Sequence, residues 1–442
     1  MRNLIDHIPP KFLPLIGNDV GIIRRIDYLT MNSDDPKFFQ VLTESTNMTL
    51  LTGASSPQFF GGSCNITLSS AIIGACGEVI ERYCGSYRHP DDTEAIKATD
   101  LSEPYLSPNN IALFHDEQFK EDFLYQKFDE ASSRLSWTRA ADLQTGTVIW
   151  VPSQVVYIGV PIREGEDRIT YSTTSGLAAG ESFEQACVSG ILELIERDAF
   201  TISWNAKISL PSLDWSHDPV IRGLEATYLS NINCNFKVLN ASDFTGIPTL
   251  VTIIEGGKNF GIVVGAASNV SIEAAWLDSL REAFQCRSWA RQKLAIEYPL
   301  KWDKGLDDIK NFEDHVSFHI DVDNLHHSSF LRETNSSVTS QEIREKHPTV
   351  PLVSYGDKLE FLVNKLSEQG IDVLCVDLTT PDIESLGFKV VRVICPQLQR
   401  LDSVHAARFL GGSRLYTLPS LINSSTNFKG FADVNPSPHP FP

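Results

Sequence analysis

Two predicted helices, 115 positions apart, carry the same charged motif inside an otherwise apolar sequence. Both Ser69–Ser86 and Phe183–Ser203 contain the pattern Glu-x-x-Glu-Arg. The motif residues are Glu78, Glu81 and Arg82 in the first helix and Glu193, Glu196 and Arg197 in the second. Positions i, i+3 and i+4 lie on one face of a helix, so each helix presents two carboxylates and one guanidinium together. A fold for this chain must therefore accommodate four acidic groups within two apolar helices.

A single copy of this motif has a simple interpretation, a solvated Glu–Arg pair on a helix surface. Two copies in helices with a buried pattern favour another, because burying carboxylates is costly unless cations are present. Carboxylate oxygens suit Mg²⁺, which commonly arrives with phosphate groups. The planar guanidinium groups of Arg82 and Arg197 would then face phosphate oxygens. The residues predict a Mg–nucleotide site.

A third predicted helix, about Ile272–Lys293, repeats part of this chemistry. Glu282 and Gln285 share a face, and Arg281 and Arg287 add cations; an ordinary amphipathic helix with exposed charges explains the segment equally well. The sequence contains no Walker A motif and no Gly-x-Gly-x-x-Gly after a strand. A P-loop or Rossmann nucleotide site is therefore disfavoured.

The remaining patterns predict a mixed α+β fold, with long helices and separated strands. Two strand-like runs, Val148–Val151 and Gln154–Val160, form a plausible hairpin around Pro152 and Ser153. Residues 300–350 have the composition of an excursion or long loop region. Further strands are predicted at Phe236–Leu239, Thr249–Ile254, Gly261–Ala266, Val373–Leu378 and Lys389–Ile394.

Charge and composition exclude several classes of function. The net charge is −19, which repels phosphate backbones and anionic lipid, so neither nucleic acid nor a membrane is an expected partner. The eight cysteines form no Cys-x-x-Cys pair, so a zinc ribbon is not indicated. No apolar run has the length of a signal peptide core or a membrane span, and the cytoplasm is the expected compartment.

The last residues, Pro438-His439-Pro440-Phe441-Pro442, allow two interpretations. An exposed tail is the common one. The other is a rigid polyproline II arm that places the carboxylate of Pro442 at a defined position. His315 and His319, four residues apart, allow a metal site, although loop histidines explain them as well.

Taken together, these segments resemble the YcaO family. The resemblance is carried by the turn Ser175–Gly180, the two Glu-x-x-Glu-Arg helices and Glu282–Arg287. Later stretches that also match are Val376–Thr379, Val390–Val393 and Gly411–Leu415. The resemblance covers roughly residues 61–418, preceded by a lead-in region of 1–60 and followed by a polar tail of 419–442. That tail resembles the Pro-x-Pro-x-Pro terminus of the azoline-forming (thiazole/oxazole-modified microcin) branch.

The resemblance implies an ATP- and Mg²⁺-dependent cyclodehydratase that makes thiazoline or oxazoline rings from Cys, Ser or Thr of a ribosomal precursor peptide. It implies metal ligands at Glu78, Glu81, Glu193 and Glu196. It implies ATP-binding roles for Arg82, Arg197, Gln185, Arg281, Glu282 and Arg287. It implies that the arm of Pro438, Pro440 and Pro442 reaches the reacting groups. It further implies a homodimer, an E1-like leader-binding partner on another polypeptide and, in some systems, a flavin dehydrogenase.

Several positions depart from the family pattern as we align it: Gly74, Ala178, Glu181, Gln185 and Asp278. These departures keep open a degenerate YcaO protein that serves as a peptide-binding or scaffold subunit of a synthetase complex. A separate alternative retains ATP chemistry but makes a thioamide with an external sulfur nucleophile, and the Pro-rich terminus argues against it.

Overall fold

The computed structural model describes residues 4–17, 21–53, 58–298, 300–348, 352–423 and 426–441. The chain divides into two compact units. The first unit comprises Met1–Thr30, Phe39–Leu194 and Leu352–Gln397, and the second comprises Met31–Phe38, Ile195–Pro351 and Leu398–Pro442. Within the described ranges, no helix combines the length and the apolar character that a membrane span requires.

Helices and strands are both abundant, which confirms the mixed α+β prediction. The helices in the described ranges are α1 (Thr49–Thr52), α2 (Leu68–Gly85), α3 (Phe183–Asn205), α4 (Pro219–Tyr228), α5 (Ile272–Ile296), α6 (Phe312–Ile320), α7 (Ser329–Arg332), α8 (Ser340–Lys346), α9 (Tyr355–Ser367), α10 (Pro381–Ser385) and α11 (Ser413–Ile422). The strands are β1 (Ile23–Leu29), β2 (Phe39–Ser45), β3 (Phe60–Asn65), β4 (Ile96–Lys97), β5 (Arg134–Leu135), β6 (Trp137–Asp142), β7 (Val148–Pro152), β8 (Leu177–Gly180), β9 (Ser212–Asp214), β10 (Asn235–Asn240), β11 (Thr249–Glu255), β12 (Ile262–Ser268), β13 (Ser337–Thr339), β14 (Leu374–Asp377) and β15 (Lys389–Ile394).

The first unit contains two larger antiparallel sheets and the short pair β4–β5. One sheet has the order β1-β2-β3 and the other the order β7-β6-β14-β15-β8. Helix α2 packs closely on β3, because a Cβ atom at Gly61 would lie 2.3 Å from the carbonyl oxygen of Ala75. The hydroxyl of Thr43 on β2 donates to that same oxygen at 2.7 Å. Only glycine at position 61 permits this approach of helix to strand.

The second unit is built on one sheet of order β12-β11-β10-β9-β13, in which β13 runs parallel to β9. All seven residues of β12 are buried, as expected of a strand covered on both faces. Helix α5 covers β12 and β11. A Cβ atom at Gly265 would lie 2.2 Å from the backbone nitrogen of Ala283, so glycine is required at this crossing as well.

Two secondary-structure predictions were wrong. The hairpin of Val148–Val151 with Gln154–Val160 does not form, because β7 pairs with the preceding strand β6 instead. Ser153–Val155 is a single 3-10 turn. The region 300–350 is not a long loop; it contains α6, α7, α8 and β13 in its described residues. These helices are each under ten residues, too short for periodicity to reveal.

The predicted boundary at residue 60 lies inside a sheet, because β1 and β2 pair with β3. The predicted tail of 419–442 begins inside α11. The division of the chain into compact units follows neither position.

Candidate active site

The three helices that carry the acidic motifs begin in the same way. Each follows a strand after a short turn: β3 precedes α2, β8 precedes α3 and β12 precedes α5. Each starts with a hydroxyl that accepts the backbone N–H three residues later, a standard helix N-cap. These caps are Thr67 to Ser70 at 3.1 Å, Ser182 to Gln185 at 3.2 Å and Ser271 to Ala274 at 3.2 Å.

The first glutamate of each motif stands eleven residues after its cap, about three helical turns along. From there each carboxylate accepts a hydrogen bond from a backbone N–H at or beside the strand that precedes its own helix. The pairs are Glu78 with Gly62 at 2.6 Å, Glu193 with Gly176 at 2.9 Å and Glu282 with Ala266 at 2.7 Å. The three segments therefore share one local design, in which a strand backbone fixes a helix carboxylate.

In the first unit, Glu78, Glu81 and Glu193 come close enough to influence one another electrostatically. Burial raises the pKa of Glu81 to about 8, and the charges of Glu78 and Glu193 push it in the same direction. The N–H of Ala179, which donates to Glu81 at 2.8 Å, and the charge of Arg82 oppose the shift without cancelling it. Like charges that face a partly buried carboxyl hold it protonated.

This cluster fits a divalent cation. Its three carboxyl groups belong to Glu78, Glu81 and Glu193, and Arg82 pairs with Glu78 and also donates to the carbonyl of Phe60. The backbone N–H donors orient the carboxyl oxygens but supply no full positive charge. Carboxylate oxygens are the ligands that Mg²⁺ prefers.

In the second unit, the guanidinium of Arg197 lies among acidic and aromatic groups. Its Nε is 3.4 Å from Oε1 of Glu196, and its Nη2 is 3.9 Å from Oε1 of Glu282. The ring of Phe441 lies with its centroid 4.0 Å from the guanidinium carbon, which is a close cation–π contact. Arg197 therefore combines charge contacts to two helices with an aromatic platform from the end of the chain.

Arg281 and Arg287, both predicted to bind ATP, are held by carboxylates elsewhere in the second unit. Arg281 pairs with Asp278 at 2.5 Å. Arg287 is 4% exposed and pairs with Asp34 at 2.8 Å and Asp35 at 2.6 Å. A phosphate would have to displace these carboxylates from either guanidinium. The ATP-binding role of the two arginines stays a prediction.

Gln185, also predicted to bind ATP, forms a hydrogen bond with the nearby backbone in the structure. Its side-chain oxygen accepts from the N–H of Glu181 at 2.9 Å, at the start of α3. Glu181 pairs with Lys11. At the departure Gly74, a Cβ atom would lie 2.4 Å from Oγ and 2.9 Å from Cβ of Ser63, so a larger residue would require the Ser63 side chain to shift. At the remaining departures, Ala178 is buried in β8 and Asp278 pairs with Arg281.

Residues 435–441, near the end of the chain, pack within the second unit. Pro438, Pro440 and Phe441 are buried, so the interpretation of an exposed tail is wrong for these residues. Pro442, whose carboxylate was predicted to act in catalysis, lies outside the described residues.

Sequence reasoning missed the buried side chain of Arg392 on β15. It is 1% exposed and donates to the carbonyl of Val156 at 2.8 Å and that of Ser175 at 2.7 Å. Ser175 directly precedes Gly176, the residue that anchors Glu193. A single arginine within the apolar run Val390–Ile394 was the available signal for such a role.

A protein-family model described as YcaO cyclodehydratase, ATP- and Mg²⁺-binding, matches residues 64–399, about three quarters of the chain. An uncharacterized protein of Methanothermobacter thermautotrophicus is 24% identical over 343 residues, which are 75% of this chain and 80% of that protein.

Solved structures with the same fold include three kinds of protein. A heterocyclase in complex with substrate and cofactor matches 98% of this chain, with a TM-score of 0.74 and 22% sequence identity. The heterocyclase TruD matches 85% of this chain, with a TM-score of 0.64 and 23% sequence identity. The YcaO protein of Methanopyrus kandleri bound with AMPPCP and Mg²⁺ matches 85% of this chain and 86% of its own length, with a TM-score of 0.61 and 19% sequence identity. A chain of the Escherichia coli microcin synthetase complex McbBCD matches 94% of this chain and 96% of its own length, with a TM-score of 0.62 and 14% sequence identity. The chain spans only 56% and 52% of the two heterocyclases.

Proposed function

The chain belongs to the YcaO cyclodehydratase family, which binds ATP and Mg²⁺, and we propose that it converts Cys, Ser or Thr residues of a ribosomally made peptide to thiazoline or oxazoline rings. The observation that carries the proposal is the carboxyl cluster of Glu78, Glu81 and Glu193. Three carboxyl groups close enough to raise the pKa of Glu81 favour a bound cation.

In this proposal the side-chain thiol or hydroxyl of the substrate residue gives its proton to a base or to water and attacks the preceding backbone carbonyl carbon. The carbonyl oxygen, now an oxyanion, accepts the γ-phosphoryl group of ATP and then leaves as phosphate. The amide nitrogen loses its proton to a base, and its lone pair forms the C=N bond of the ring. The products are an azoline, ADP and phosphate, and no oxidant is needed.

Glu78, Glu81 and Glu193 would hold Mg²⁺ in this scheme, and Glu196, one helical turn after Glu193 on α3, is the fourth proposed ligand. Bound Mg²⁺ supplies positive charge beside the phosphates, where negative charge develops during phosphoryl transfer. Glu81 gives up its proton when the cation binds, because its pKa of about 8 keeps it largely protonated at neutral pH.

We assign Arg82 and Arg197 to phosphate contacts, with Glu282 as the acidic residue that orients Arg197. Their planar guanidinium groups are suited to charge on several oxygens at once. Gln185, Arg281 and Arg287 stay proposed ATP ligands and require a change of partner on binding.

The C-terminal prolines complete the proposed catalytic group. Pro438 and Pro440 restrict the backbone of the arm, and the carboxylate of Pro442 is our candidate for the base that takes the amide proton or orients the peptide.

We further propose that the chain acts as a homodimer in the cytoplasm, with an E1-like protein that binds the peptide leader. A flavin dehydrogenase that oxidises the rings would act after it. Partner subunits and a bound peptide, pro-MccB17, occur in the microcin synthetase complex whose structure resembles this chain; for this chain they are proposals.

The test is to incubate the protein with ATP, Mg²⁺, the peptides encoded beside its gene and the neighbouring E1-like protein, and to measure phosphate and peptide mass. We expect ATP-dependent loss of about 18 Da per ring, with phosphate release in step. Glu193→Gln should abolish both signals, and the exposed control Glu164→Gln should retain them.

Two other outcomes would redirect the assignment. Phosphate release with a mass change other than water loss would indicate thioamide synthesis or another external nucleophile. Neither phosphate release nor nucleotide binding would indicate a scaffold subunit, an alternative that the local engagement of Gln185 and Arg281 favours.

A further inference from the structure

The last described residues, 435–441, form a segment that we call the C-terminal arm. Every second residue of the arm is proline, and the four residues between and beside the prolines are buried: Asn435, Ser437, His439 and Phe441 are each 5% exposed or less. Proline has no N–H, so the arm cannot pair as a strand along its length. Its buried carbonyl groups therefore need donors from other parts of the unit.

Side chains of the second unit supply these donors. Four carbonyl oxygens of the arm each accept a hydrogen bond from a buried side chain. The donors are Arg408 to Asn435 at 2.7 Å, Trp204 to Ser437 at 3.0 Å, His319 to Pro438 at 2.8 Å and His315 to His439 at 3.1 Å. Two of the four are histidines one turn apart on α6.

Both histidines donate as neutral imidazoles. His315 uses Nδ1 and His319 uses Nε2, so the rings have opposite tautomers. The other nitrogen of each ring, Nε2 of His315 and Nδ1 of His319, is buried and has no hydrogen-bond partner among the described residues. Protonation would bury an N–H without an acceptor, and burial accordingly lowers the pKa of His319 to about 3.

A third histidine, His439, connects this anchoring to Arg197. Its Nε2–H donates to the carbonyl of Asp402 at 2.6 Å, and its Nδ1 accepts from the N–H of Phe441 at 3.2 Å. The Phe441 ring then lies against both Arg197, at 4.0 Å, and Phe200, at 4.8 Å between ring centroids. The position of the arm is thereby coupled to the position of the Arg197 guanidinium.

We propose that His315 and His319 are positioning residues: they clamp the C-terminal arm through its carbonyl groups and so hold Phe441 beneath Arg197. The clamp itself is independent of the reaction, and its consequence for phosphate binding by Arg197 rests on the proposed function.

A metal site at the same place would need different geometry. His315, Asp402 and His439 bring ligand atoms within 4.8 Å of one another. However, the His315 and His439 rings stack with centroids 4.0 Å apart and planes at 18°, and both nitrogens of His439 are engaged by backbone groups. A metal ion would require these bonds to break, so the clamp is the better account.

The test compares variants that keep or remove a single donor. Gln places an N–H₂ where His319 has Nε2, and Asn does so for Nδ1 of His315, whereas Met and Leu of similar size donate nothing. We expect His319→Met and His315→Leu to raise hydrogen exchange of the arm amides by about tenfold, the effect of leaving one buried carbonyl unpaired. His319→Gln, His315→Asn and the exposed control His217→Gln should remain near the wild-type rate.

Exchange at β11 separates a clamp from a general loss of stability. If Met and Gln at position 319 give equal rates at the arm, or if β11 exchanges faster to the same extent, the clamp is refuted. Histidine-dependent Zn²⁺ binding at this cluster would refute it as well. Where the wild type hydrolyses ATP, His319→Met should lower kcat while His319→Gln retains it. A wild type without ATP turnover would contradict the proposed function, and the exchange comparison would still decide the clamp.

Discussion

Glu81→Gln should stabilise the metal-free protein at alkaline pH while removing its Mg²⁺ site. The substitution retains the shape of the side chain and an oxygen that can accept from the Ala179 N–H, and it removes only the charge. The carboxyl of Glu81 has a pKa raised from 4.5 to about 8. The folded state therefore binds the proton more tightly than the unfolded chain, and wild-type stability falls as pH rises from 4.5 to 8.

The size of this effect follows from the two pKa values. Each pH unit within that interval removes about 1.4 kcal/mol of stability. Over the whole interval the loss would be on the order of 4 to 5 kcal/mol, and partial exposure of the Glu81 side chain reduces our expectation to about 2 to 3 kcal/mol through solvent screening. The variant should thus exceed the wild type by that amount at pH 8 and match it near pH 4.5.

The assay is urea unfolding of both proteins from pH 4.5 to 8.5 in the presence of a chelator, repeated with excess Mg²⁺. Mg²⁺ should stabilise the wild type by mass action and leave Glu81→Gln unchanged. The exposed Glu164→Gln should follow the wild type throughout. Parallel pH profiles for the wild type and Glu81→Gln, or a variant less stable than the wild type at pH 8, would refute the reasoning.

Three further substitutions test the packing around the site. Arg392→Met should lower the free energy of unfolding by about 3 kcal/mol, because two buried carbonyl groups lose their donor; an unchanged urea midpoint would contradict this. Gly265→Ala should lower the free energy of unfolding by about 2 kcal/mol or more, the penalty of overpacking, since the new methyl group would lie 2.2 Å from the Ala283 nitrogen. Calorimetry measures the resulting fall in Tm, and a wild-type Tm would show that α5 moves away freely. Asp198→Asn should lower the free energy of unfolding by about 3 kcal/mol, because it leaves Arg414, bound at 2.7 Å, as an uncompensated buried charge. Adding Arg414→Met should then restore the Tm, whereas additive losses in the double variant would contradict the coupling.

The three long helices of the site were accessible from sequence because each is periodic, long and capped. Their observed bounds differ from the predicted ones by a few residues at most. The strands β10, β11 and β12 are likewise close to prediction, since each contains several β-branched or aromatic residues in a short run.

The anchoring of the glutamates was not predicted, although a signal was present. A Ser or Thr eleven residues before Glu78, Glu193 and Glu282 recurs in all three segments. Periodicity alone assigns each carboxylate to a helix face and cannot state which backbone group it meets, because that depends on how closely helix and strand approach.

Long-range pairing explains the remaining failures. Arg287 meets Asp34 and Asp35 more than 250 positions earlier in the chain, and nothing in the local sequence distinguishes a paired arginine from one that faces a phosphate. The buried C-terminal arm is a similar case, because its prolines indicate an exposed tail unless the distant donors His315 and His319 are known.

A calorimetric titration of the wild type with the non-hydrolysable nucleotide AMPPCP tests the proposed Mg–nucleotide site. It is run with and without Mg²⁺, at pH 7, in two buffers of different ionisation enthalpy. We expect binding only with Mg²⁺, a net release of protons because the pKa of Glu81 is raised to about 8, and loss of binding in Glu193→Gln but not in Glu164→Gln. Absence of binding to the wild type with Mg²⁺, or equal affinity without Mg²⁺ or in Glu193→Gln, would contradict the claim that these carboxylates form a Mg–nucleotide site.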